Sequence, residues 1–141
     1  MFSHLRIRLR SLFAAISNPV AHDRRSMGQL GEQLAAQFLK RHARFKVLAS
    51  NWSNGQQEID LVCREGNVLV FVEVRARQDG ARVPGFASLT RKKRRNLRKA
   101  AYAYLRTLRP RPRTYRYDAV ELRMQGTDAT EIHHFRNIDV F

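Results

Sequence analysis

The chain holds a single cysteine, Cys63, among 141 residues. An intrachain disulfide is therefore excluded, and so is a zinc site built on several thiolates. No apolar run approaches the roughly 18 residues of a membrane-crossing helix, so no transmembrane segment is expected. Internal repeats and low-complexity stretches are missing too. Acid is scarce. Asp and Glu number 12 against 27 Lys and Arg, which leaves a net charge of +15 and a pI near 11.4. Such an excess calls for a polyanionic partner, nucleic acid ahead of an anionic membrane surface. What is present in quantity is apolar side chain, 43% of the chain, enough for one folded domain with a core.

Residues 1–25 read as a basic leader. Leu5, Leu9, Leu12, Phe13 and Ile16 recur at helical spacing among Arg6, Arg8 and Arg10, and Asn18-Pro19 would end such a helix. A secretory signal fits poorly, because the apolar stretch is short and no small-x-small cleavage site follows. A flexible tail is the first expectation for this segment, a short amphipathic helix the second and a packing arm the third. Residues 26–141 then form a single domain, expected in the cytoplasm.

Within it, residues 27–43 carry a helical stripe of Leu30, Leu34, Ala35, Phe38 and Leu39, with Ser26 placed to cap it. Phe45 to Trp52 reads as a short strand. Gln78 to Gly85 reads as a mobile basic loop. Residues 88–108 form the longest predicted helix, capped by Ser88 or Thr90 and stopped by Pro110. Its buried stripe is Leu97, Ala100, Ala101, Tyr104, Leu105 and Leu108. Arg91, Lys92, Lys93, Arg94, Arg95, Arg98 and Lys99 crowd its first half, where like charges one turn apart repel. A bound polyanion would relieve that repulsion. Two further strands follow, 114–123 and 130–137. His133 and His134 are neighbours on the last one, point to opposite faces, and make a poor metal site; they read as edge-strand histidines. The order of elements predicts an α/β fold, a mixed sheet of about five strands flanked by helices.

The chemistry concentrates in Glu58 to Arg77. Two alternating, β-branched runs flank Glu65-Gly66-Asn67, so the stretch reads as a hairpin. A two-residue turn at Gly66-Asn67 sets Leu61 opposite Val72, Cys63 opposite Val70 and Ile59 opposite Val74, one apolar face. Cys63 there is a buried, inert thiol. The other face sets Asp60 opposite Glu73 and Glu58 opposite Arg75. A slip of one residue would bury the charges, so patterning selects this class of register. Facing side chains have Cβ atoms about 4.5–5.5 Å apart, and like charges placed so destabilise a sheet. A divalent cation is the usual reason to tolerate them. Magnesium takes hard oxygen donors and keeps several waters. Asp60, Glu73 and the Val74 carbonyl can hold Mg²⁺ or Mn²⁺ and leave positions for water and a phosphate oxygen. Spacing alone makes Glu32, on the first helix, a solvated side chain that complements the helix dipole.

Four segments carry a resemblance. They are Gly31-Glu32-x-x-Ala35, Asn51 with Glu58-Ile59-Asp60-Leu61, Phe71-Val72-Glu73-Val74-Arg75-x-Arg77, and Tyr117-Asp118-Ala119-Val120. In these the chain resembles the YraN-like family, whose fold is similar to that of PD-(D/E)XK nucleases and archaeal Holliday-junction resolvases. The likeness runs over roughly residues 27–138 and leaves the leader unexplained. It implies a restriction-endonuclease-like core and a catalytic set of Glu32, Asp60, Glu73 and Arg75; Glu58, which faces Arg75, reads as a supporting partner beside them. The resemblance thereby promotes Glu32 to the site. Two departures stand out. Gln56-Gln57 replaces the Gly-Gly usual before Glu-Ile-Asp, and Arg75 holds the nuclease motif's lysine position. An arginine cannot give up its proton to act as a base, but it can clamp phosphate.

The resulting expectation is a Mg²⁺- or Mn²⁺-dependent phosphodiesterase acting on DNA, in preference to RNA, on branched or damaged structures. Arg77, Arg91, Lys92, Lys93, Arg95, Arg98 and Lys99 would hold the backbone, and a homodimer is a further expectation, since related resolvases dimerise. The rival is a nucleic-acid-binding module with weak or no turnover, motivated by Arg75. A third reading is an adaptor that uses the leader on a membrane surface or a ribosome.

Overall fold

The computed structural model describes residues 4–8, 24–78 and 89–141. Six strands form one sheet: β1 (His4–Arg8), β2 (Lys46–Ser53), β3 (Glu58–Glu65), β4 (Val68–Gln78), β5 (Tyr115–Gln125) and β6 (Asp128–Phe135). Two helices accompany them, α1 (Arg24–His42) and α2 (Arg91–Thr107). The spatial order is β1-β6-β5-β4-β3-β2. Only β4 and β5 run parallel, as the crossover through α2 requires; the other four pairings are antiparallel. The expected mixed sheet flanked by helices is the fold observed.

The helices cover opposite faces, and the central strands show it in their sequence. Val70 and Val72 join Leu61, Cys63, Val120 and Leu122 under Ala35, Phe38 and Leu39 of α1. The alternate residues Leu69 and Phe71 join Val62, Tyr117 and Ala119 under Leu97, Ala100, Ala101 and Leu105 of α2. A strand buried on both faces reads as an unbroken apolar run, as Val68 to Val72 does. One contact is close enough to dictate a residue. A Cβ built on Gly31 of α1 would lie 2.7 Å from the Cβ of Ala76 on β4. Only glycine lets the helix settle that near the strand.

The hairpin register is as the turn predicts: Leu61 faces Val72, Cys63 faces Val70 and Glu65 faces Val68. Thr90 caps α2, its hydroxyl accepting from the Lys93 N–H at 3.3 Å. Cys63 is fully buried, and burial together with the Asp118 charge pushes its thiol up to about 12.

Several expectations are corrected. The sheet has six strands because His4–Arg8, placed in the leader, adds antiparallel to β6. Arg6 is ion-paired with Glu131 there, and the His4 ring stacks on Phe135 at 4.5 Å. β6 is therefore not an edge strand, and His134 is 1% exposed in the core. Ser26 lies inside α1 and does not cap it. The rest of the leader and most of the Gln78–Gly85 loop lie outside the described residues. No described helix is long and apolar enough to cross a membrane.

Candidate functional site

The site lies where β3 and β4 part. Their ladder runs from Glu65↔Val68 to Leu61↔Val72 and stops there. Beyond it β3 keeps only β2 as a neighbour, with Trp52 opposite Ile59 and Ser53 opposite Glu58. The backbone N–H of Val74 donates instead to Oδ2 of Asp60 at 2.7 Å. A carboxylate thus fills the place of a ladder partner and holds the strands apart. The expected facing pairs Asp60–Glu73, Ile59–Val74 and Glu58–Arg75 do not form. Ile59 turns to the α2 side, in the cluster of Val62 and Phe71 and against Trp52, and Glu58 is exposed.

The parting opens a cleft of about 530 Å³ between the strand ends and α2. Asp60, Glu73 and Glu58 line it from the sheet, and Lys93, Asn96 and Lys99 from the helix. The two acids predicted to share a face are brought together, and burial and the Glu73 charge push the Asp60 carboxyl up to about 7. The Val74 N–H and Lys93 pull the other way, and Glu32 adds to the rise. Lys93 Nζ donates to Glu73 Oε1 at 3.2 Å. A strand residue turns its N–H and C=O to the same neighbour, so the Val74 carbonyl shares the β3 side with Asp60. The mouth is closed by a self-braced turn. Asn54 Oδ1 accepts from the backbone of Gln56 and Gln57, at 3.0 and 2.8 Å, and Asn54 Nδ2 donates to Gln57 Oε1 at 2.9 Å. The glutamines in place of glycines therefore carry side chains into the cleft wall.

Glu32 sits beside this cleft, in a neighbouring hollow lined by Gln29, Gln33, Ser50, Asn51 and Leu61. Burial raises its pKa, as do the charges of Glu73 and Glu58, while a hydrogen bond from the Asn51 side chain opposes them. Its Oε2 is buried without a hydrogen-bond partner. Asn51 takes a left-handed φ of 52°, a conformation asparagine tolerates better than most residues.

Arg75 does not line the cleft. It is half-buried on β4 with Glu121 of β5 in register beside it. Burial and the neighbouring Arg77 lower its pKa, and Glu121 and Glu73 oppose that. The Nε of Arg77 is buried and has no hydrogen-bond partner. Of the basic helix, Arg91, Lys92 and Arg95 are exposed, and Lys93 and Lys99 reach the cleft. Arg98 is half-buried, its guanidinium 5.6 Å from the centre of the Phe141 ring.

The residues present suit a hard cation in part. Among the described residues no three His, Cys, Asp or Glu side chains form a ready cage. Magnesium, however, is commonly held by one or two carboxylates and water. The Asp60–Glu73 pair supplies that donor set, and Glu32, whose Oε2 has no hydrogen-bond partner, adds acid nearby. Sequence reasoning counted Lys93 only among the backbone-binding cations and missed Asn96. The signal for both is that positions 93, 96, 97 and 100 share one side of α2, and Leu97 and Ala100 are buried against the sheet.

Residues 31–122 match the family model described as uncharacterised protein family UPF0102. A UPF0102 protein of Geobacter metallireducens is 36% identical over 113 residues, 80% of this chain and 91% of its own. One from Herpetosiphon aurantiacus is 34% identical over 125 residues, 86% of this chain and 99% of its own. Another from Chloroflexus aurantiacus is 37% identical over 112 residues, 79% and 90% respectively. The matched span contains Glu32, Asp60, Glu73 and Arg75.

Proposed function

The chain belongs to the uncharacterised protein family UPF0102, the YraN family, and we propose that it is a metal-dependent nuclease of PD-(D/E)XK type acting on DNA. One observation carries the reading. Two acids on parting strands, Asp60 and Glu73, share a cleft whose opposite wall is the more basic of the two described helices. Acids that crowd one another in a cleft, with a pKa displaced toward neutrality, are a common mark of a functional site.

Asp60 and Glu73 would hold Mg²⁺ or Mn²⁺, with the Val74 carbonyl beside them. The bound cation supplies an acidified water and neutralises charge on the phosphate oxygens. The proteins' own groups do the rest. The Val74 N–H fixes Oδ2 of Asp60, so the carboxylate is oriented before anything binds. Arg91, Lys92 and Arg95 attract the phosphate backbone without reading bases, so substrate shape matters more than sequence. In the reaction a water oxygen bonds to phosphorus and releases its proton to the open cleft. The opposite P–O bond breaks and the departing oxygen takes up a proton.

A second reading has its own support. The absence of a three-group cage among the described residues and the position of Arg75 outside the cleft favour a DNA-binding module with little turnover. Incubation with single-stranded, duplex and branched DNA in Mg²⁺, Mn²⁺ or chelator separates the two. The nuclease reading expects cutting that chelator abolishes, and loss of about 10²-fold or more in Asp60→Ala and Glu73→Ala. Wild-type-like cutting by either variant sinks it. Salt-sensitive binding without cutting in any metal establishes the module instead.

A further inference from the structure

We infer that Lys93, and not Arg75, is the cation that meets the scissile phosphate. The inference rests on the nuclease reading and assigns a role within that site. Arg75 holds the position where a cation is expected by sequence, two residues beyond Glu73 on the same strand. Glu121 of β5 lies beside it in register, however, and acts on it ahead of Glu73. Arg75 forms no part of the cleft wall. Lys93 does. It lies in the first turn of α2, directly beyond the Thr90 cap, with its ammonium 3.2 Å from Glu73 Oε1.

The chemistry of the two groups differs in the same direction. An ammonium is a compact charge with three donors on a flexible stem. One donor occupied by Glu73 leaves two for a phosphate oxygen. The Lys93 side chain is 49% exposed against 17% for Glu73, so the carboxylate is anchored and the amine faces the opening. Asn96, one helical turn on, lines the same wall and adds a neutral donor. A cation next to Glu73 that also faces solvent is within reach of a phosphate oxygen entering the cleft beside the acidic pair. The bland alternative is that Lys93 merely offsets the acidic charge, as exposed ion pairs often do with little consequence.

Single-turnover cutting at saturating DNA, read beside the Kd for DNA in Ca²⁺, separates these. Lys93→Ala is expected to cut about 100-fold more slowly while its Kd changes by less than about fivefold. Lys93→Arg should recover part of that loss, because charge is kept and geometry is not. Arg75→Ala should lose less than about tenfold, and Arg106→Ala, a cation at the far end of α2 outside the site, should match the wild type. A rate loss below tenfold in Lys93→Ala overturns the inference. So does a loss that resides in Kd alone, or an Arg75→Ala defect equal to or larger than that of Lys93→Ala. If Lys93→Ala fails to fold by circular dichroism, Lys93→Met is judged by the same limits. A wild-type protein that cuts nothing in any metal refutes the nuclease reading and the inference together, a result distinct from active enzyme indifferent to Lys93.

Discussion

Two acids on this sheet, Asp118 buried and Asp60 half-buried, have opposite fates. Asp118 of β5 is 0% exposed. Its Oδ1 accepts from Arg116 Nε and from the Asn137 N–H, both at 2.9 Å, and its Oδ2 lies 2.9 Å from His134 Nε2. Arg116 continues to Glu65 at 2.7 Å, and Arg136 joins Glu65 at 2.7 Å. Phe45 lies beneath both guanidiniums, 5.6 and 6.0 Å from its ring centre. Burial alone would raise the Asp118 pKa, but these partners hold it below the usual carboxylate range. Asp60 is also withdrawn from water, yet its nearest charges include Glu73 and Glu32, and it rises to about 7. The first acid belongs to a balanced network that ties the hairpin turn to β5 and β6. The second is crowded by other acids, whose effect Lys93 only partly offsets. Desolvation acts on both; the partners decide which way the pKa moves.

The comparison breaks most readily at Asp118. Asp118→Ala leaves Arg116 and His134 without their acid, and should lower stability by about 3–5 kcal/mol in chemical denaturation. Because the folded pKa of Asp118 is depressed, its contribution is present above the unfolded value near 3.8 and fades as pH falls through the folded one. Acid unfolding should therefore lose part of its pH dependence in the variant.

Asp60→Asn should act with the opposite sign. The folded acid keeps its proton up to about 7, whereas the unfolded chain releases it near 3.8, so the acid costs stability as pH rises across that window. In chelator at pH 8 the asparagine variant should be more stable by on the order of 2–4 kcal/mol, with the gain gone by pH 4. Destabilisation at pH 8 would mean that Asp60 is structural like Asp118. Gly31→Val should cost about 1–3 kcal/mol, since α1 must lift from Ala76, and Glu32 moves with the helix. Smallest in stability is the triple change Arg91→Ala, Lys92→Ala and Arg95→Ala, within about 0.5 kcal/mol of wild type. Its effect belongs in binding, where each lost phosphate contact should flatten the salt dependence of DNA affinity by about one unit of slope.

Much of this is written in the sequence. Alternation and the Gly66-Asn67 turn were enough for the pairing of Leu61 with Val72 and Cys63 with Val70. Thr90 and the stripe from Leu97 to Leu105 were enough for α2. These rest on local geometry, where a period or a cap is written in neighbouring residues. The meeting of Asp60 and Glu73 followed from the same register, although the direct pairing predicted for them gives way to a splay. Whether a strand end parts from its neighbour depends on which group takes the Val74 N–H, and that is a competition between backbone and side chain.

The rest belonged to tertiary structure for a physical reason. His4–Arg8 has no strand signature beyond a few residues; it becomes a strand because β6 offers it an edge. Asp118, Arg116, His134 and Glu65 come from three separate strands and Arg136 lies just past the last of them, so no spacing announces their network. Lys93 and Arg75 look interchangeable in a list of cations. The sequence by itself determined that an acidic pair would share one face of the hairpin and that a basic helix would follow it. Which cation faces that pair was decided by packing: α2 is held on the sheet by its apolar stripe, and that turns Lys93 toward Glu73 while β5 keeps Arg75 beside Glu121.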